Sequence, residues 1–216
     1  MPKNNRLEQQ RAEKREKILK AAVRIFAEKG FYNTRIAEIA RDAGVADGTI
    51  YLYFKNKDDI LITVFEESVA DILASFREKL QGLDNPVDKL KAFIRLHLNI
   101  VKSDPDLASV LQLELRQSNK FIKEYTGHSF TDYLFFIREI IEEGQQKRLF
   151  RDDLQIGLIK RVLFGALDEI STYWVMQRDK EFDVERNVEQ VSSLFLHGLL
   201  HRHAGVPAQG TNAKES

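Results

Sequence analysis

Apolar residues recur every three or four positions along most of this chain, which is the spacing of one buried face of an α-helix. The first clear run is Ile18, Leu19, Ala22, Ile25 and Phe26. Only 11 glycines and 4 prolines interrupt 216 residues, so long stretches contain no residue that would end a helix. The pattern therefore predicts an all-α protein of about nine helices.

The first 57 residues predict a small three-helix head. Its helices are expected at about 10–29, 35–43 and 47–53, after a polar arm, residues 1–10, that we expect to be disordered. Gly30 and Gly44 supply left-handed helix ends, and Thr34 is the expected cap of the second helix. A short turn through Gly44 joins the last two helices, which is helix-turn-helix geometry.

A helical body is predicted for residues 58–203. A fourth helix, capped by Asn56, runs over about 57–80 and leads from the head into the body. Further helices are expected at 86–101, 105–118, 121–147, 154–178 and 184–202, with Asp152 or Asp153 as the cap of the fourth of these. The small polar tail, 204–216, is expected to be flexible.

The charge of the chain is divided unevenly. Lys and Arg outnumber Asp and Glu by 13 to 7 in residues 1–57, whereas the remainder carries 20 basic and 26 acidic residues. A basic head on an acidic body favours a polyanion as the partner of the head. Because there is no cysteine, disulfides and thiolate metal sites are excluded. No apolar run is long enough to span a membrane, and we expect a cytoplasmic protein without a membrane partner.

The third helix carries the residues expected to read DNA. Gly48 would let the backbone approach closely, and Thr49 offers a hydroxyl and a methyl group to a base edge. Phosphates would be contacted by Tyr51, Tyr53, Lys55 and Lys57. Asp47 either repels DNA or accepts from a cytosine amino group. From the spacing alone, an ordinary helical hairpin with half-buried tyrosines remains an alternative.

This region resembles the N-terminal signature of TetR-family transcriptional regulators. The matching residues are Thr34, Ile36–Ala40, Ala43–Val45, Gly48–Phe54, Lys57 and Leu61. The resemblance implies a double-stranded operator as partner, with Thr34, Tyr51, Tyr53 and Lys57 on the DNA backbone, Arg35 beside them, and Gly48 and Thr49 near bases. Ala46 departs from the signature, which often has a serine cap here.

The last two predicted helices are more apolar than one buried stripe requires. The first carries eleven apolar residues between Leu158 and Val175, and the second carries seven between Val188 and Leu200. Two such helices from each subunit could form a four-helix interface. We expect a homodimer, which would place two reading helices on successive half-sites of a palindromic operator. The alternative is that both helices are core of a monomer.

Two body strings, 113–119 and 164–169 with 173–176 following, are similar, together with residues 45–57 of the head, to the FadR-like branch of the family, whose members repress fatty-acid degradation genes. The resemblance implies release from DNA by a small lipophilic effector, long-chain acyl-CoA. The alternative is a TetR-type repressor of an efflux or detoxification operon that senses a lipophilic drug or cation.

A fatty acyl chain would need a long apolar tunnel. Candidate ligand-binding residues are Leu111, Leu115, Arg116, Phe130, Leu134, Phe135, Phe164, Asp168 and Trp174. At least one of Asp168 and Glu169 is expected to turn inward and pair with Arg116, because a buried carboxylate needs a partner. The phosphates of CoA would need basic groups at the tunnel mouth, for which Arg138 and Lys147 are among the candidates.

No arrangement of residues predicts catalysis, a bound cofactor or a metal. There is no nucleophile elbow and no phosphate-binding glycine loop. His197 and His201 lie one helical turn apart and His203 follows, but a zinc site needs three or four ligands. We therefore expect a regulator and not an enzyme.

Overall fold

The computed structural model describes residues 2–114, 128–177 and 181–200, with side chains from Arg6 onward and, after the first gap, from Thr131. Nine α-helices and one short π-helix, π1, make up this part of the chain: α1 Pro2–Lys29, α2 Ile36–Ala43, α3 Asp47–Ile50, α4 Lys57–Leu80, α5 Pro86–Ser103, α6 Pro105–Ser109, π1 Val110–Glu114, α7 His128–Gln146, α8 Ile156–Met176 and α9 Val184–Leu199. The all-α prediction is confirmed.

Two expectations for the start of the head were wrong. The first helix begins at Pro2, so the arm that we expected to be disordered is helical, in keeping with its content of Glu, Gln, Arg and Lys. The cap of α2 is Arg35 and not Thr34. Since Gly30 turns the chain with φ 79°, the Thr34 hydroxyl meets the Gly30 carbonyl, to which it donates at 2.8 Å.

The third helix, α3, which is the predicted reading helix, is shorter than the expected 47–53. After Ile50 the chain tightens, because Leu52 and Tyr53 donate to carbonyls only three residues earlier, at 3.2 and 3.0 Å. The next helix agrees with the prediction at both ends: α4 covers Lys57–Leu80, and the Asn56 side chain accepts from the Asp59 N–H at 2.9 Å.

Two body elements also differ from the sequence pattern. The helix expected at 105–118 is α-helical only to Ser109 and continues as π1 to Glu114. α8 begins at Ile156 with Gln155 as its cap, so neither Asp152 nor Asp153 caps it. The Asp153 carboxylate instead accepts from the Arg151 guanidinium at 2.6 Å.

Head and body share one continuous apolar core. Ile18 and Phe26 of α1, Ile60 of α4 and Leu98 of α5 belong to the same cluster of buried side chains. The proposed boundary at residue 57 therefore falls where a helix begins and does not separate two cores. No helix in the described ranges is long and apolar enough to cross a membrane.

Candidate DNA interface and ligand-sensing core

The segment that contains the α2–α3 turn and α3 has an exposed side and a buried apolar side. Gly44 ends α2 with φ 68°, a conformation that glycine adopts without strain. Ile50 and Phe54 are buried beneath the third helix. Gly48 and Tyr51 are exposed and Thr49 is half-buried, so two of these three residues predicted to contact DNA are open to solvent.

The first half of α1 lies beside this face and carries residues that the sequence analysis missed. The Arg11 guanidinium lies 5.8 Å from the centre of the Tyr53 ring, and that of Arg15 lies 5.5 Å from the Phe54 ring. Arg15 also pairs with Glu67 of α4 at 2.5 Å. Both arginines lie within the helix predicted at about 10–29, but local spacing did not show that this helix packs beside the third helix of the head.

The structure places Lys57 and Thr34 in roles that hold the head together. The Lys57 ammonium donates to the backbone carbonyls of Phe31, Tyr32 and Thr34 at 2.5, 3.2 and 2.9 Å, and burial lowers its pKa. The Thr34 side chain is buried and bonded to Gly30. Arg35 and Lys55, by contrast, are exposed and open to a DNA phosphate.

The residues predicted to bind ligand do not form one group. Leu115, Arg116 and the Phe130 side chain lie outside the described residues. Leu111 and Leu134 are half-buried against the main core, whereas Phe135 is 49% exposed, with the Arg138 guanidinium 5.8 Å from its ring centre.

Trp174 lies in a second, smaller cluster. Its ring centre is 4.8 Å from that of Phe182 and 5.5 Å from that of Tyr173, and it packs beside buried Val101 and Val175. The structure therefore separates Trp174 from the core around Phe164.

A buried polar cluster, made by His97, Tyr133 and Ser171, occupies the core of the body. The Tyr133 hydroxyl is hydrogen-bonded to His97 Nδ1, and Ser171 Oγ lies 3.2 Å from His97 Nε2. Aromatic rings surround the cluster: the ring centres of Phe93 and Phe164 lie 5.5 and 5.9 Å from that of Tyr133.

This environment keeps the cluster uncharged at neutral pH. Burial lowers the pKa of His97 to about 4, although the nearby Asp168 carboxylate opposes the shift. Burial and Asp168 both raise the pKa of Tyr133 well above its ordinary value. The sequence signal for His97 was a polar residue inside the apolar stripe of α5, which includes Phe93, Ile94 and Leu98.

Of the two adjacent acids on α8, Asp168 is half-buried near the polar cluster and Glu169 is exposed. The predicted pairing with Arg116 lies outside the described residues. Both described basic candidates for the tunnel mouth bind carboxylates: Arg138 pairs with Glu142 at 2.7 Å and Lys147 with Glu143 at 2.8 Å.

An exposed apolar stripe runs along α8. Leu158, Val162, Tyr173 and Met176 are between 48% and 68% exposed, and their spacing places them on one helix face. On α9, Leu194 is 73% exposed. Gly165 and the exposed Glu169 lie between Val162 and Tyr173 on the same face, so these apolar side chains form two groups along α8.

The described residues contain no group of three or more side chains that could hold a metal ion. His197 is exposed, and its Nδ1 lies 2.7 Å from the carbonyl of Ser193. His201 and His203 lie outside the described residues.

Two family models match consecutive parts of the chain. Residues 18–64 match the bacterial regulatory proteins of the tetR family, and residues 65–198 match the C-terminal region of YsiA-like proteins. The fatty acid metabolism regulator protein of Bacillus subtilis (strain 168) is 37% identical over 182 residues, which is 84% of this chain and 93% of that protein.

Solved structures give the same picture. The fatty acid degradation regulator FadR from Bacillus halodurans has a TM-score of 0.81 and 39% identity, over 88% of this chain and 97% of that one. FadR from Bacillus subtilis in complex with stearoyl-CoA has a TM-score of 0.79 and 37% identity, over 85% and 98%. These relatives are transcriptional regulators, and not enzymes. With an intact helix-turn-helix and matches along both its head and its body, this chain belongs to the TetR family of bacterial transcriptional regulators.

Proposed function

We propose that this chain is a homodimeric repressor that binds a palindromic operator and is released from it by long-chain acyl-CoA, so that it controls genes of fatty-acid degradation. The observation that carries the proposal is its similarity, over 85% of the chain, to a regulator crystallised with stearoyl-CoA. Such a repressor acts on the chromosome of a bacterium, and therefore in the cytoplasm.

The proposed DNA contacts begin with Gly48 and Tyr51, which are exposed, and with Thr49 between them, which is half-buried. Arg35 and Lys55 add phosphate contacts at the edge of this surface. Tyr53, which lies under Arg11, is a further proposed phosphate contact at the end of the same turn. Thr34 and Lys57 contribute by fixing the α1–α2 turn, and any DNA contact they make is secondary to that role.

The proposed dimer interface is the apolar stripe on α8 together with Leu194 on α9. Pairing the two helices with their copies would bury Leu158, Val162 and Met176 in a four-helix arrangement. Burial of these side chains would contribute roughly 1.5–3 kcal/mol each. The dimer matters for function because two joined heads bind two half-sites at once.

The proposed effector site is the body core around Phe164 and the buried polar cluster. Aromatic and aliphatic side chains there provide the apolar surface that an acyl chain needs, and Asp168 and His97 are polar groups beside it. Effector binding would change the spacing of the two heads. A 100-fold loss of operator affinity needs the effector to favour one state by about 2.7 kcal/mol.

The proposal is tested by selecting a tight-binding duplex from a random library and titrating the complex with acyl-CoAs of 8 to 18 carbons. We expect the selected site to be palindromic. We also expect the release of DNA, measured by fluorescence polarisation, to increase with acyl chain length. Free CoA and the matching free fatty acids serve as controls.

Operator affinity that stays the same with every acyl-CoA would contradict the acyl-CoA response while leaving the repressor in place. Release by a lipophilic drug or cation instead would support the efflux alternative. Mass spectrometry of ligand retained through purification distinguishes the two effectors.

A further inference from the structure

Glu114, the last residue of π1, joins the body to the head through a buried hydrogen bond. Its carboxylate Oε2 accepts from the backbone N–H of Phe31 at 2.6 Å, across 83 positions of sequence. Glu114 is 8% exposed. Because a buried carboxylate is unfavourable without hydrogen-bond donors, this contact constrains the position of π1 relative to the α1–α2 turn.

The fit between Glu114 and the turn is close. A Cβ atom added at Gly30 would lie 3.4 Å from the same Oε2, and Gly30 has a left-handed backbone with φ 79°. The left-handed conformation, which glycine adopts without strain, lets the turn present its next N–H group to the carboxylate.

The same turn is held from its other side by Lys57. Phe31 donates its N–H to Glu114 and accepts at its carbonyl from Lys57 Nζ. Lys57 is the first residue of α4. It comes seven positions after Ile50, the last residue of α3. The contacts of Phe31 therefore link Glu114 to the first residue of α4, the helix that follows α3.

The opposite side of π1 contacts the body. Gln112 Oε1 accepts from Thr172 Oγ1 of α8 at 3.1 Å, one residue after Ser171 of the buried polar cluster. A π-helical turn is rare, and such turns often occur at functional sites. This one connects the ligand-sensing core and the head through side chains two positions apart.

We propose that Glu114 is the residue that couples effector binding to DNA release: its bond to Phe31 holds the head in the operator-binding position, and the effector breaks that bond by reshaping π1. The inference rests on the proposed function. Glu114 is a positioning residue, since it acts through the Phe31 peptide group.

The test compares Glu114→Ala and Glu114→Gln with the unmodified dimer, and uses Glu181→Ala, which removes an exposed carboxylate, as the matched control. Operator affinity is measured by fluorescence polarisation with and without stearoyl-CoA. We expect Glu114→Ala to weaken effector-free binding by about tenfold or more, the scale of a lost hydrogen bond to a charged group. Operator affinity in the presence of stearoyl-CoA should be unchanged. The release ratio, which is operator affinity without stearoyl-CoA divided by operator affinity with it, should therefore fall by the same factor.

Glu114→Gln should give an intermediate ratio, because an amide oxygen still accepts from Phe31 but without charge assistance. Stearoyl-CoA binding without DNA, measured by calorimetry, should tighten in Glu114→Ala, since the effector no longer has to break the bond. A residue with a purely structural role would lower the melting temperature but leave both the ratio and the effector affinity as they were.

An equal loss of operator affinity with and without stearoyl-CoA, or an unchanged ratio, overturns the inference. If Glu114→Ala does not fold, an unchanged ratio in Glu114→Gln overturns it by itself. Failure of the unmodified protein to release DNA with stearoyl-CoA would instead contradict the proposed function, so the two failures are distinguishable.

Discussion

His97 lies in an environment that disfavours its charged form. It is 7% exposed, among aromatic rings, and its hydrogen bonds to Tyr133 and Ser171 satisfy a neutral ring. Neutral histidine carries one donor and one acceptor nitrogen. The network therefore fits the uncharged form and disfavours a proton.

This environment predicts acid sensitivity of the fold. The pKa of His97 falls from 6.5 to about 4 on folding, so between those values the unfolded state binds a proton that the folded state does not. The contribution is fully present above pH 6.5 and is lost as pH decreases toward 4. We expect the free energy of unfolding to drop by about 2 kcal/mol between pH 7 and pH 5 from this residue.

The measurement is urea denaturation at pH 7 and pH 5, with His97→Gln as the comparison. Between pH 7 and pH 5, the variant should lose about 2 kcal/mol less free energy of unfolding than the unmodified protein, since glutamine does not titrate. Equal losses in the two proteins would mean that His97 takes up its proton in the folded state as readily as in the unfolded chain.

At the scale of elements, α8 and α9 carry a surface that the monomer leaves uncovered. Leu163 and Leu167 of α8 are fully buried, so one face of that helix belongs to the core. Leu158 and Val162 lie on another face and are exposed. The sequence showed that α8 had too many apolar residues for one stripe, and the structure divides them between two faces.

Leu194→Glu is expected to produce a monomer. A carboxylate at the centre of an apolar interface would be desolvated without a partner, which costs several kcal/mol. Analytical ultracentrifugation should show loss of the dimer with the helical circular dichroism unchanged, and operator affinity should fall with it. Leu7→Glu, at another exposed leucine, is the control and should stay dimeric. A Leu194→Glu protein that remains dimeric at micromolar concentration would exclude this face.

At the scale of the whole molecule, the excess of basic residues in the head and of acidic residues in the body directs DNA to one end. The excess of six positive charges in residues 1–57 is balanced by an equal negative excess in the remainder. Long-range attraction to DNA therefore depends on where a lysine lies, and not on the net charge of the chain.

Two exposed lysines make this testable. Lys55 lies beside the reading helix and Lys91 lies on α5. In a dimer, Lys55→Ala should reduce the slope of log affinity against log salt by about 2, one per subunit, whereas Lys91→Ala should leave it unchanged. Polarisation titrations between 50 and 300 mM salt measure both slopes. Equal slopes for the two variants would contradict a phosphate contact by Lys55.

The sequence by itself determined the all-α fold, the bounds of α4 and the helix-turn-helix, because apolar periodicity, caps and left-handed glycines act within a few residues. Tertiary structure decided the rest. The pairing of His97 with Tyr133 spans 36 positions, and that of Glu114 with Phe31 spans 83. The phosphate contact predicted for Lys57 stays a prediction, whereas its bonds to the carbonyls of Phe31, Tyr32 and Thr34 depend on the fold. The packing of the helices determines which buried polar groups become hydrogen-bond partners. The local spacing of residues does not indicate these partners, because they are distant in sequence.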